Sequence, residues 1–219
     1  MGDSDRVTLY YAPHSRSMST VALLEELGAP YDVHILNIKA GEQRASSYLA
    51  INPMGKVPAL THLGQVITEQ VAIYIYLADL FPAAKLAPPI GDPLRGPYLR
   101  WLAFYGACFE PAIADKAMKR EPPPRSQSGY ADYDTVMKVL SQQLATGPYL
   151  LGDRFTAADI LWGLALSWLM GWQLVPSLPE LTAYAKRIVD RPAIARVRAR
   201  DTALAAEHEK AAAGKSAAQ

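Results

Sequence analysis

The chain has 219 residues, half of them apolar, with 22 lysines and arginines against 21 aspartates and glutamates. That length allows one large or two small domains, and a net charge of +1 gives no basic surface of the kind nucleic acid or an anionic membrane requires. The single Cys108 excludes an internal disulfide, a CxxC redox pair and a cysteine-rich zinc site, and it fits a reducing compartment.

The first residues, Met1 to Arg6, are polar and acidic, unlike a signal peptide, and Arg6 stands where myristoylation would want Ser or Thr. A cytoplasmic protein is expected. Residues 7–11 form a β-rich run. A loop follows, Ala12-Pro-His-Ser-Arg-Ser17, and residues 18–27 have helical spacing, with Val21, Leu24 and Leu27 on one side and Gly28 closing the helix. Residues 31–38 alternate as a second strand and 42–49 read as a short helix. Residues 57–60 and 65–68 read as two strands joined by a turn at His62-Leu-Gly64. Residues 72–80 are helical. The order β-α-β-α-β-β-α predicts an α/β layer over residues 1–82.

Residues 83–97 hold four prolines and read as a linker. Beyond it no strand is expected. Residues 98–205 read as an all-helical domain, with helices over 98–119, 130–145, 156–172, 178–189 and 193–205. Thr156-Ala-Ala-Asp159 has the form of a capping box at the start of the most apolar helix, so Asp159 is expected to be a buried structural group. That helix is too short and too interrupted by glycine to span a bilayer. Residues 206–219, mostly Ala, Lys and Glu, are expected to be frayed or disordered. His14, His34, His62 and His208 are scattered without ligand spacing, so no metal site is expected.

One constellation concentrates chemical meaning. Asn52-Pro-Met-Gly-Lys-Val-Pro58 precedes a strand, and Glu69-Gln70 stands just before a helix. An X-Pro bond adopts cis at little cost. A cis bond before Pro58 would turn the backbone of Val57 outward, ready to pair with an extended peptide. The helix start at Glu69-Gln70 favours a bound carboxylate. Together they suit a small acidic peptide.

On these residues the chain resembles the soluble glutathione S-transferases over nearly its whole length, in the manner of bacterial or fungal members with serine chemistry. The matching segments are Leu9-Tyr-Tyr-Ala-Pro with Ser15-Arg-Ser, Leu24-Glu-Glu-Leu-Gly-Ala-Pro-Tyr31, Asn52-Pro-Met-Gly-Lys-Val-Pro-Ala-Leu60, Thr68-Glu-Gln-Val-Ala-Ile73 and Gly152-Asp-Arg-Phe-Thr-Ala-Ala-Asp159. The resemblance implies a thioredoxin-like N-terminal domain that binds glutathione, an all-helical C-terminal domain supplying most of a second-substrate pocket, and a homodimer. It implies that Val57, before a cis Pro58, pairs with the glutathione cysteine backbone. Glu69 and Gln70 would hold the γ-glutamyl end, although the family usually has Ser or Thr where Gln70 stands. Lys56, and more weakly Gln43 and Arg44, would reach the glycine carboxylate.

The chemistry needs a thiolate, and a free thiol is mostly protonated at pH 7. A hydroxyl donor to sulfur and the positive end of a helix both favour the anion. The loop entering the first helix lacks Cys, which leaves Ser15, Ser17 and Tyr11 as candidate activators, with His14 also in play and Arg16 adding positive field. Ser15 ranks first and Ser17 second. Tyr98, Trp101, Tyr105, Phe109, Met118, Trp168 and Trp172 either pack the core or line a pocket for a hydrophobic electrophile. The expected function is addition of the glutathione thiolate to such electrophiles, as in detoxification. The alternatives are a glutathione-dependent disulfide or peroxide reductase, a glutathione-dependent isomerase, and a non-catalytic glutathione-binding protein.

Overall fold

The computed structural model describes residues 6–124 and 126–216. Residues 1–5, read above as a polar lead, and 217–219 of the expected tail lie outside the described residues. The chain divides into two compact units. The first runs to Leu77 and takes in the helix that begins at Pro192, and the second is Ala78–Arg191.

In the first unit the elements are β1 (Val7–Tyr11), α1 (Ser17–Leu27), β2 (Tyr31–Ile35), α2 (Ser46–Leu49), β3 (Ala59–His62), β4 (Gln65–Ile67), α3 (Gln70–Leu80, whose last turn passes into the second unit) and α9 (Pro192–Ser216). The sheet order is β2-β1-β3-β4. β1 pairs parallel with β2 and antiparallel with β3, and β3 pairs antiparallel with β4. This is the thioredoxin-like arrangement that the resemblance implied. Strand alternation buries Val7, Leu9 and Tyr11, against an α1 whose Thr20, Ala22, Leu23 and Leu24 are fully enclosed. β2 stops at Ile35 rather than 38, and β3 starts at Ala59 because Pro58 has no N–H to give a ladder.

α9 is longer than expected and belongs elsewhere. The sequence reading placed 193–205 in the helical domain and 206–219 in a loose tail. Instead, one helix runs to Ser216 and groups with the sheet. Ala, Lys, Glu and Arg are strong helix formers, and the stripe Ile194, Val197, Asp201, Ala205 is buried. Arg200 reaches Glu25 of α1 at 2.8 Å, where Tyr31 also donates at 2.6 Å, and Lys39 meets Glu209 at 2.7 Å.

The second unit holds α4 (Arg95–Phe104), α5 (Glu110–Met118), α6 (Tyr133–Leu144), α7 (Ala157–Gly171) and α8 (Pro179–Val189). A π-helical turn, Tyr105–Phe109, joins α4 to α5. The proline-rich stretch is tethered rather than loose: Arg95 grips Asp79 through two 2.7 Å bonds, Arg154 meets Asp92 at 2.7 Å, and the Leu86 carbonyl accepts the Ala157 N–H at 2.8 Å. α4 accordingly starts inside that stretch, at Arg95. The core is aromatic. Trp162 is fully buried, meets Trp101, Phe104, Tyr105 and Phe109, and donates its indole N–H to the Trp101 carbonyl at 3.0 Å. Gly163 lets α7 touch α8, since a Cβ there would lie 2.5 Å from Ile188.

Asp159 fills the role expected of it. Its carboxylate is fully enclosed and accepts from the N–H groups of Leu150 and Thr156 (2.8 Å each), the Thr156 hydroxyl (2.9 Å) and the Tyr184 hydroxyl (2.9 Å). Asp159→Ala strands four donors, all of them on enclosed residues. It should cost about 3–5 kcal/mol, read by urea denaturation as a lower midpoint with an unchanged slope. A second expectation concerns pH. The Tyr31 hydrogen bond, then Arg200, holds Glu25 below its usual range despite partial burial. A carboxyl whose folded pKa is lowered stabilises the fold above its unfolded pKa and loses that contribution as pH falls through the folded value. The tie between α1 and α9 should therefore weaken below about pH 4, seen as faster hydrogen exchange in α9 while the sheet stays protected.

Candidate active site

Strand register gathers the candidate residues at one end of the sheet. β1 and β3 run antiparallel with Tyr10 opposite Ala59, so the end of β1 lies beside the start of β3. Leu60 faces Ile67, which brings the end of β4 to the same place. Three segments therefore leave from this end: Ala12–Arg16 after β1, Lys56–Pro58 before β3, and Thr68–Gln70 after β4.

The Val57–Pro58 bond is cis. Among the described residues, no hydrogen bond uses the backbone N–H or C=O of Val57, which is half-buried, whereas Pro58 is enclosed. The neighbouring Lys56 carbonyl is fixed by the Tyr48 hydroxyl at 2.6 Å and the Asn52 amide at 2.8 Å, and Asn52 also accepts the Met54 N–H at 3.1 Å. The Lys56 side chain is exposed. Gly55 is required here: its φ is +59° and a Cβ would lie 2.9 Å from the Gln43 carbonyl oxygen. The positioning roles of Asn52 and Tyr48 were missed in the sequence. An Asn followed by Pro and, three residues on, Gly is a turn signal that invited a side-chain cap.

Glu69 is exposed and left-handed, with φ 64°, and its carbonyl accepts the Ile73 N–H at 3.0 Å as α3 begins. A non-glycine residue in that region is uncommon and marks a site of constraint. Gln70 behaves differently from what was expected of its side chain. Its amide N–H groups go to the Arg16 carbonyl at 3.1 Å and the Ser19 hydroxyl at 2.5 Å, tying the start of α3 to the start of α1. Its amide oxygen is buried without a partner. Its backbone N–H lies at the start of α3, where a helix favours an anion.

The loop after β1 separates the activator candidates. Ser17 is fully buried, with its hydroxyl accepting the Ala12 N–H at 3.0 Å and lying 3.1 Å from the Ala12 carbonyl. Ser15 is half-buried. Its hydroxyl lies 2.7 Å from the Ala12 carbonyl and 2.7 Å from the Ser17 hydroxyl, and it accepts the Ser17 N–H at 3.2 Å. Tyr11 is buried, and its hydroxyl donates to the carboxylate of Asp201 on α9. Burial, and then that carboxylate, push the phenol far above its usual pKa, so its proton is retained. His14 is exposed and left-handed, with φ 52°; its N–H donates to Asp201 at 3.1 Å and its ring nitrogen lies 3.9 Å from the same oxygen. Arg16 is exposed and precedes α1. Asp201 was missed. Its signal is an acid standing in the apolar stripe Ile194, Val197, Ala205.

In the second unit, Tyr98, Trp101, Tyr105 and Phe109 are core residues, while Met118 and Trp172 are exposed. A separate cavity of about 360 Å³ is lined by Phe104, Cys108, Tyr130, Val136 and Val139 among others. Among the described residues no group of three or more His, Cys, Asp or Glu is placed to hold a metal ion, and no helix is long and apolar enough to cross a membrane.

Comparison with known proteins matches residues 5–79 to the family described as glutathione S-transferase, N-terminal domain, and residues 128–192 to glutathione S-transferase, C-terminal domain. Glutathione S-transferase 2 of Schizosaccharomyces pombe is 30% identical over 85% of this chain and 92% of its own. The crystal structure of a glutathione transferase from Methylococcus capsulatus superposes with a TM-score of 0.74 at 30% identity, covering 90% of this chain and 98% of that one. A sphingomonad glutathione S-transferase complexed with glutathione gives 0.74 at 29% identity, covering 89% and 98%. A four-stranded mixed sheet with these loops at one end, a helical second unit and these likenesses along most of the chain have one meaning: the protein belongs to the glutathione S-transferase family.

Proposed function

We propose that this glutathione transferase adds the thiolate of glutathione to a carbon of a hydrophobic electrophile, with Ser15 as the residue that stabilises the thiolate. The observation that carries the assignment is the division of labour among three hydroxyls. Tyr11 has committed its proton to Asp201, and Ser17 is enclosed and closes the loop on Ala12. Ser15 alone of the three is partly open to solvent.

The proton bookkeeping supports Ser15. A carbonyl has two lone pairs, so Ala12 can accept from both serines. When Ser15 turns its proton toward a sulfur, Ser17 keeps the Ala12 carbonyl satisfied, and the Ser17 N–H still donates to the Ser15 oxygen. A hydroxyl that accepts one hydrogen bond becomes a better donor for the next. The sulfur would lie by the first turn of α1, whose positive end favours an anion.

The remaining residues would place the tripeptide. The free N–H and C=O of Val57 would pair with the cysteine backbone as a short added strand. The Glu69 carboxylate would take the γ-glutamyl ammonium, the Gln70 N–H would take its carboxylate, and Lys56 would reach the glycine end. Arg16 would add positive field. We read the enzyme as a cytoplasmic, homodimeric detoxification catalyst, as its resemblance implies.

Bringing a thiol from its ordinary pKa to near neutrality takes about 2 kcal/mol. A hydrogen bond to a charged group supplies about 1.5–3 kcal/mol and a helix end up to about 1 kcal/mol, so one serine at one helix suffices. Ultraviolet titration of bound glutathione should show a near-neutral thiol in the wild type. Ser15→Ala should raise that pKa by about 1–2 units and lower kcat/KM at pH 7 by roughly 10- to 100-fold, a larger effect than that of Tyr11→Phe. Tight binding with an ordinary thiol pKa in the wild type would instead mean a glutathione-binding protein. Glu69→Gln should raise KM for glutathione by roughly 10-fold or more, with little change in KM for the electrophile; equal changes in both would remove Glu69 from the γ-glutamyl subsite.

A further inference from the structure

The geometry points to Asp201, on the C-terminal helix, as the positioning residue that holds the Ser15 loop in its working conformation. The inference rests on the assignment of Ser15 above and deepens it.

Asp201 is 5% exposed, and two donors from one short segment converge on its carboxylate. One oxygen accepts the Tyr11 hydroxyl and the other accepts the His14 N–H at 3.1 Å. Tyr11 ends β1, and His14 is the residue before Ser15. The carboxylate therefore clamps the chain on both sides of Ala12-Pro13, where it leaves the sheet and turns toward α1. His14 is held with φ 52°, a conformation that is costly for a non-glycine residue and persists only when its surroundings hold it. The charge-assisted bond from its N–H to Asp201 supplies that hold. Relaxing His14 to negative φ would rotate the peptide joining it to Ser15. The Ser15 hydroxyl would then leave its place between the Ala12 carbonyl and the Ser17 N–H.

Placement on α9 gives the clamp a rigid base. Asp201 follows Arg200, which grips Glu25 of α1, and lies one turn from the buried Val197 and Ala205. α1 and α9 thus carry the two ends of one device, the hydroxyl at the start of α1 and the carboxylate on α9. Docking of the helix as a whole and action of this carboxylate are different claims. Arg200 separates them, because its hydrogen bond ties α9 to Glu25 of α1 and not to Tyr11 or His14.

The test is ultraviolet titration of glutathione thiol bound to the full-length wild type, Asp201→Ala, Asp201→Asn, Ser15→Ala and Arg200→Ala, with a melting curve for each. Asp201→Ala should raise the bound-thiol pKa by about 1 unit and lower kcat/KM at neutral pH by roughly 10-fold, with KM for glutathione changed far less than kcat. Asp201→Asn keeps one acceptor oxygen and should shift the pKa in the same direction by less; it decides the matter if the alanine variant does not fold. Arg200→Ala should leave the thiol pKa at the wild-type value. A folded Asp201 variant with a wild-type thiol pKa, beside a Ser15→Ala that shifts it, overturns the positioning role and leaves Ser15 standing. An Arg200→Ala shift equal to that of Asp201→Ala overturns it too, because helix docking alone would then be responsible. A wild type with an ordinary thiol pKa removes the Ser15 assignment itself, and this inference with it.

Discussion

The antiparallel pairing of β1 with β3, Tyr10 opposite Ala59, is the constraint on which the site depends. It makes the chain leave β1 at the sheet end where it enters β3, and the β3–β4 hairpin then delivers Glu69 to that end as well. A slip of one residue in this pairing would take Leu60 off the face it shares with Leu9. Since Leu9 and Leu60 are fully enclosed, the burial of apolar area fixes the register, and the register fixes the site. The candidate site is therefore a by-product of hydrophobic packing: the residues proposed for its chemistry sit where the core has already put the loop ends.

That dependence explains what was legible in the sequence. Alternation and turn residues marked β1, β3 and β4, and the Asn-Pro-Met-Gly-Lys-Val-Pro run marked a special junction because each residue type there has a narrow range of backbone uses. The α/β layer, the helical remainder and the capping box at Thr156 could be read the same way. Longer-range facts could not. Ser15 and Ser17 are equivalent in one dimension, and only burial separates them. Gln70 reads as a side-chain donor in the sequence, but its amide lies on the Arg16 carbonyl and the Ser19 hydroxyl, which leaves its backbone N–H for the proposed role. Tyr11 and Asp201 are separated by 190 residues, and no local pattern relates them. The C-terminal helix was misjudged for a related reason. Its composition matches that of a solvated tail, and its four-residue stripe is short of large apolar side chains, so helix propensity and a few partners, rather than bulk, hold it.

The second unit shows the opposite economy. Its aromatic residues at helical spacing left core packing and pocket lining both open, and Tyr98, Trp101, Tyr105 and Phe109 are core. Periodicity reports which face is apolar and is silent on whether that face meets protein or ligand. Trp162 decides the question for three of them, Trp101, Tyr105 and Phe109, by filling the space between them, with its indole N–H satisfied by the Trp101 carbonyl.

Backbone strain follows the same division between scaffold and site. Among the described residues six non-glycine ones have positive φ: His14, Leu63, Glu69, Lys85, Lys119 and Gln173. Leu63 lies in a tight hairpin turn, while Lys85 and Lys119 follow helical segments, where such a conformation ends the helix in the ordinary way. His14 and Glu69 have no such excuse, since each precedes a helix. A chain that needed only to enter α1 and α3 would use negative φ at both. At about 1–2 kcal/mol each, the two conformations are a measurable fraction of a domain's net stability. Both lie at the end of the sheet where the three loops meet, and each is held by a hydrogen bond from its own residue, His14 N–H to Asp201 and the Glu69 carbonyl from Ile73. Strain placed in two of the three loops that meet at this sheet end, and secured by dedicated partners, supports the ligand-orienting role proposed for them. It also explains why a buried acid can persist in the apolar stripe of α9: a hydrophobic residue at 201 would pack more cheaply, but it could not hold the turn before Ser15.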